Sequence, residues 1–143
     1  MLSLIGFLNG LTAALVVIFS AAFAIIVLIK NRNSQGSSLL PSAALMGLFA
    51  GLLWLGPATD FFTILLTGNN LDNSYGLYGL LSYMWVGPAF IYAMHLGTGV
   101  TMPEKKTTIL IISIIIVIIF EFILFTSTES VFIFHYPNES GTD

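Results

Sequence analysis

Apolar residues run along this chain in four long stretches, Leu2 to Ile29, Ser42 to Thr67, Tyr75 to Leu96 and Thr107 to Phe125, parted by short polar segments. A helix rises about 1.5 Å per residue, so about 20 residues cross a hydrocarbon core of about 30 Å. Each stretch therefore predicts a membrane-spanning helix, and the first two have length to spare for tilt. The separators carry turn chemistry. Lys30 to Ser38 is polar and helix-breaking, Gly68 to Ser74 is a run of turn formers, and Gly97 to Lys106 contains two glycines and Pro103. The first stretch does not read as a secretory signal, because its Lys and Arg follow the apolar run instead of preceding it.

The fourth stretch is nearly all isoleucine from Ile109 to Phe120. In water such β-branching would suggest a strand. In lipid an isolated strand leaves its backbone unsatisfied whereas a helix bonds internally, and the alternation of a β-barrel is missing. Uniform isoleucine also predicts heavy lipid exposure. The expected fold class is an all-α integral membrane protein, with four transmembrane helices in an antiparallel up-down bundle and the second and third helices kinked at proline. Residues 1–126 form that domain, and 127–143 an extracytoplasmic tail. In the tail Val131 to Tyr136 is apolar but too short to span.

Composition agrees with the pattern. The 143 residues are 57% hydrophobic and 8% charged, with a mean hydropathy of +0.97, where a soluble domain carries about 25% charged residues. An ordinary soluble domain, a disordered chain and a nucleic-acid-binding domain are excluded. With no cysteine there is no thiolate nucleophile, no Cys-ligated metal and no disulfide framework. Lys30, Arg32, Lys105 and Lys106, the four basic residues, fall in the first and third separators. An even number of spans puts these on one side, and the positive-inside rule makes that side cytoplasmic, with both termini outside.

Small residues recur at helical spacing as Gly6, Gly10 and Ala14 in the first stretch and as Ala43, Gly47 and Gly51 in the second. Residues four apart share a helix face, and small ones let another backbone approach. The two ridges fall in opposite leaflets and so do not pack on each other. Packing inside the bundle is favoured over dimerisation.

An internal repeat is more specific: Trp54-Leu55-Gly56-Pro57-Ala58 and Trp85-Val86-Gly87-Pro88-Ala89. The chain's two tryptophans both open Trp-x-Gly-Pro-Ala, a coincidence of about one in four thousand from the composition, so it calls for a physical cause. Proline lacks an N–H and clashes with the carbonyl four residues back, which frees the Leu53 and Met84 carbonyls. Fixed bends that shape a bundle are favoured over a hinge or small polar cavity of the broken-helix transporter kind.

Asp60, His95 and Glu121 are the ionisable residues, tyrosines aside, within or bordering the spans. An intramembrane charge costs about 2.5–3.5 kcal/mol, so such groups face a bundle interior, water or the interface. Asp60 falls near the outer interface, and Glu121 about 20 Å in from Thr108. Glu121 is the deepest acid, either a proton site or a structural hydrogen-bonding group, and Asp60 joins it if their helices touch. His95, at the inner boundary, has the spacing of a haem ligand, but its one candidate partner, His135, lies on the opposite side. Interfacial anchoring near Lys105 is preferred. Asn138-Glu139-Ser140 fits a glycosylation sequon of low specificity.

No zinc-protease, nucleophile-elbow or phosphate-loop motif is present. The expectation is a non-enzymatic membrane domain that senses, anchors or assembles through helix packing and needs no cofactor. Its partners are the lipid bilayer and a second copy or another membrane subunit, not nucleic acid. The alternative is a small proton- or cation-coupled transporter or channel subunit using Glu121 and Asp60 with the Pro57 and Pro88 kinks, weakened by too few polar groups to line a pathway.

Overall fold

The computed structural model describes residues 3–33, 39–72 and 76–128, and within them every regular element is helical. In chain order these are α1 (Leu4–Asn33), α2 (Leu39–Leu52), α3 (Leu55–Thr67), α4 (Leu77–Tyr83), α5 (Val86–Thr101), a single 3-10 turn (Pro103–Lys105) and α6 (Lys106–Thr126). The apolar stretch predicted from 131 to 136, His135 and the sequon at 138–140 lie outside the described residues.

The helix ends depart from the sequence reading for local reasons. α1 continues through Lys30 and Arg32, which the sequence placed in a loop, because cations in a last turn are favoured by the helix dipole. α5 likewise runs through Gly97 and Gly99 to Thr101. It stops at Met102, which has left the helical region (φ −142°, ψ 61°), a region that the following Pro103 disfavours for the residue before it. Between α3 and α4 the turn formers act as expected. Gly68 adopts φ 75° and its N–H closes on the Ile64 carbonyl as a left-handed cap. Gly76 adopts φ 66° at the start of α4.

The second and third apolar stretches are each two helices. α2 and α3 meet at Leu53–Trp54 with a bend of 47°. The α4–α5 break falls at Met84–Trp85, yet Leu77–Thr101 still runs on as one 25-residue apolar helix. Three helices are long and apolar enough to cross a membrane, and the bent α2–α3 pair makes up to four.

α1 packs along α2 and α3, α5 packs along α2 and α6, and α3 turns back onto α4. The interior is built from small residues: Ala13, Ala14 and Ala58 close around Phe61, with Val17 against them. Large apolar side chains point outward. On α6, Ile111, Ile112, Ile114, Ile115, Ile116, Ile118 and Ile119 are exposed, while Ser113, Val117 and Leu124 face inward. Apolar exposure on this scale far exceeds the patches a soluble monomer shows and is compatible with helices that face lipid.

Candidate functional site

The two Trp-x-Gly-Pro-Ala segments occupy equivalent places. Each tryptophan closes a helix break, and the alanine N–H of each motif donates to the carbonyl of its own tryptophan at 3.0 Å, Ala58 to Trp54 and Ala89 to Trp85. The following helix starts one residue after the tryptophan in both cases. Proline as the third residue of a helix costs nothing, because the first N–H groups of a helix lack an internal partner anyway.

The glycines of the motifs explain why that position is small. The Gly56 N–H donates to Ser82 Oγ at 3.2 Å, and a Cβ on Gly56 would collide with that hydroxyl and with the Tyr78 carbonyl. A Cβ on Gly87 would collide with the Glu121 carboxyl and come within 2.6 Å of Val117. At each break, therefore, a polar side chain from the next segment in sequence reaches the amino end of the new helix, Ser82 at α3 and Glu121 at α5. The second contact is less complete. The carboxyl approaches the Gly87 amide, but Oε1 is buried and has no hydrogen bond of good geometry. Trp85 Nε1 is also buried without a partner among the described residues, its ring stacked on Phe49 at 6.0 Å. Trp54, by contrast, is 49% exposed.

Asp60 and Glu121 have separate surroundings. Asp60 is buried at 8% exposure and holds the loop that follows its own helix: Oδ2 accepts from Asn70 Nδ2 at 2.9 Å and Oδ1 from the Leu71 N–H. The threonines sharing its helix, Thr59, Thr63 and Thr67, each return their hydroxyl to the carbonyl four residues back. Ser113 and Thr98 do the same on α6 and α5.

The small-residue ridges pack within the chain. Gly10 lies under Phe61, whose Cβ would be 2.7 Å from an added methyl, and Ala14 is buried in the same cluster. Gly51 meets the Ser20 hydroxyl and Gly47 faces the Phe23 ring at 3.8 Å. Gly6 and Ala43 are only half-buried. His95 lies beside Lys106, not Lys105: Lys106 Nζ is 3.2 Å from His95 Nε2. An ammonium only donates, so this is a hydrogen bond of the imidazole that carries its proton on Nδ1.

A cavity of about 420 Å³ opens between the start of α1, α3 and α4, lined by Asn9, Thr12, Trp54, Asp60, Phe61 and Tyr78 together with Gly6, Gly10, Pro57 and Ile64. A second groove, lined by Leu53, Tyr83 and Val86 among others, shares Trp54, Pro57 and Tyr78 with it. Both open spaces border the α2–α3 break at Trp54 and Pro57. Among the described residues no group of three His, Asp or Glu side chains is placed to hold a metal ion.

Known protein families, characterised proteins and solved structures yield no match to this chain.

Sequence reasoning passed over Tyr78, Ser82, Asn70 and Ser20. A signal for Ser82 was present: it stands three residues before Trp85, as Gly51 stands three before Trp54, so the repeat extends to small-x-x-Trp-x-Gly-Pro-Ala. Both small residues sit at an interhelical contact.

Proposed function

We propose that this chain is a non-catalytic, multi-span membrane domain that senses, anchors or assembles, its four spans running antiparallel with the basic ends of α1 and α5–α6 on the cytoplasmic side. The observation that carries this reading is how its polar groups are spent. Gly56 and Ser82 bond to each other, Asp60 bonds a loop, and the span hydroxyls bond their own backbones. Groups committed to internal structure are not available as a pathway for ions. In this reading Pro57 and Pro88 set fixed bends that let the next segment dock on a motif glycine.

The transporter alternative draws on one specific observation, the buried and unpartnered Oε1 of Glu121, since an intramembrane carboxyl is a functional group by default. Reconstituted liposomes containing pyranine decide between the two. No proton movement above empty liposomes is expected under pH, sodium or potassium gradients. Movement that disappears in Glu121→Gln, which keeps the shape and removes the charge, would overturn the packing-domain reading.

A further inference from the structure

We infer that the cavity between α1, α3 and α4 binds an organic ammonium group, held by the Asp60 carboxylate and the faces of Trp54 and Tyr78. This deepens the proposed sensory reading and rests on it for the site's position near the outer membrane surface. Size comes first: about 420 Å³ lies within the range of small-molecule pockets, about 300–1,000 Å³. Charge comes next. Among the described residues Asp60 is the one charged residue in the lining, and no Lys, Arg or His side chain of those residues lines the cavity. The basic residues of the chain stand at the far end of α1 and at the α5–α6 junction, about 27 Å away along α1. Both Asp60 oxygens accept from N–H donors that carry no charge, Asn70 Nδ2 and the Leu71 amide. These bonds orient the carboxylate without neutralising it, and a buried carboxylate without a counter-charge is costly.

The rest of the lining selects among cations. A metal ion needs several oxygen or nitrogen ligands, charged ones foremost; the lining adds to the Asp60 carboxylate only the neutral Asn9, Thr12 and Tyr78, and the Thr12 hydroxyl already donates to the Leu8 carbonyl. Aromatic faces and one negative charge instead suit an organic ammonium: an alkylated one spreads its charge over methyl groups that contact rings well, and a primary one donates to the carboxylate. Trp54 offers the most strongly cation-attracting ring of the set, and at 49% exposure it lines the cavity while remaining open to its surroundings. The ammonium is carried either by a free amine or by a choline or ethanolamine lipid headgroup.

The test uses the whole chain in maltoside micelles, with the thermal unfolding midpoint read by circular dichroism as choline chloride is added and sodium chloride is lowered to hold ionic strength. A ligand of the folded state raises the midpoint in a saturable way. The expected result is such a rise in the wild type and an at least tenfold weaker response in Asp60→Asn, in which Asn70 can flip its amide to keep the loop closed. Trp54→Leu, at a half-exposed position, should lose the response as well, and it decides alone if Asp60→Asn fails to fold. A midpoint that choline does not move beyond the sodium control, or a rise retained in Trp54→Leu, overturns the inference. Nanodiscs then separate the sources: a choline response present in phosphatidylglycerol discs and suppressed in phosphatidylcholine discs supports the headgroup, and one present in both supports a free amine. Failure of the membrane topology would show in cysteine labelling and leave these titrations unchanged.

Discussion

Gly56→Ala is the sharpest perturbation of this architecture. The added methyl meets Ser82 Oγ and the Tyr78 carbonyl oxygen, with the Tyr78 carbonyl carbon 3.3 Å away. Ser82 can rotate, at the cost of its bond from the Gly56 N–H and of the bond it donates to the Tyr78 carbonyl. The Tyr78 carbonyl is backbone, and it moves only if α4 moves. Overpacking of this kind costs about 1–3 kcal/mol and the lost interhelical hydrogen bond about 0.5–1.5 kcal/mol, so the variant should be less stable by about 2–4 kcal/mol. Gly97→Ala is the control: its glycine is exposed within α5 and a Cβ there meets nothing within 4 Å, so it should be neutral or gain up to about 1 kcal/mol from helix propensity. Unfolding by SDS in mixed micelles, followed by far-ultraviolet circular dichroism, gives the comparison. Ser82→Ala should lose only the two hydrogen bonds of its hydroxyl, from the Gly56 N–H and to the Tyr78 carbonyl, and adding it to Gly56→Ala should recover part of the loss, because the Tyr78 carbonyl still obstructs. Gly56→Ala within about 0.5 kcal/mol of Gly97→Ala would refute the close docking of α4 on the α3 terminus.

Pro57→Ala restores a backbone donor at the 47° bend; if proline sets that bend, spin labels at the exposed Leu40 and Leu66 should separate by about 3 Å more as the pair straightens, and an unchanged distance would assign the bend to packing. Asp60→Ala leaves the Leu71 N–H and Asn70 without their acceptor, so it should cost about 1–3 kcal/mol and speed amide exchange at Leu71, whereas Asp60→Asn should cost less. Single cysteines at the exposed Asn69 and Glu104 should label from opposite sides of the membrane with an impermeant reagent, Asn69 from outside, and labelling of both from one side would overturn the four-span topology.

Much of this protein was legible in the sequence because segments apolar enough to cross a membrane obey one rule there: backbone groups must be satisfied locally. That rule alone turns the isoleucine run from Ile109 into a helix, and uniform hydrophobicity places its isoleucines outside. Turn chemistry likewise located Gly68 and the α3–α4 loop, since a left-handed residue is a local requirement. The Trp-x-Gly-Pro-Ala repeat coincides with both helix breaks, each tryptophan standing one residue before a new helix.

What the sequence left open were relations between segments. Nothing in the order of residues says that Ser82 answers Gly56 and Glu121 answers Gly87, since those pairings depend on which helices become neighbours. The sequence also left Asp60 free to join Glu121, and folding gave it the Asn70–Leu71 loop instead, ten and eleven residues along the chain, where the turn after α3 returns the backbone to its carboxylate. Local hydrogen-bonding rules set the helices, their breaks and their caps. Tertiary structure alone decided which polar side chain fills each break, because it alone sets distances between residues far apart in sequence.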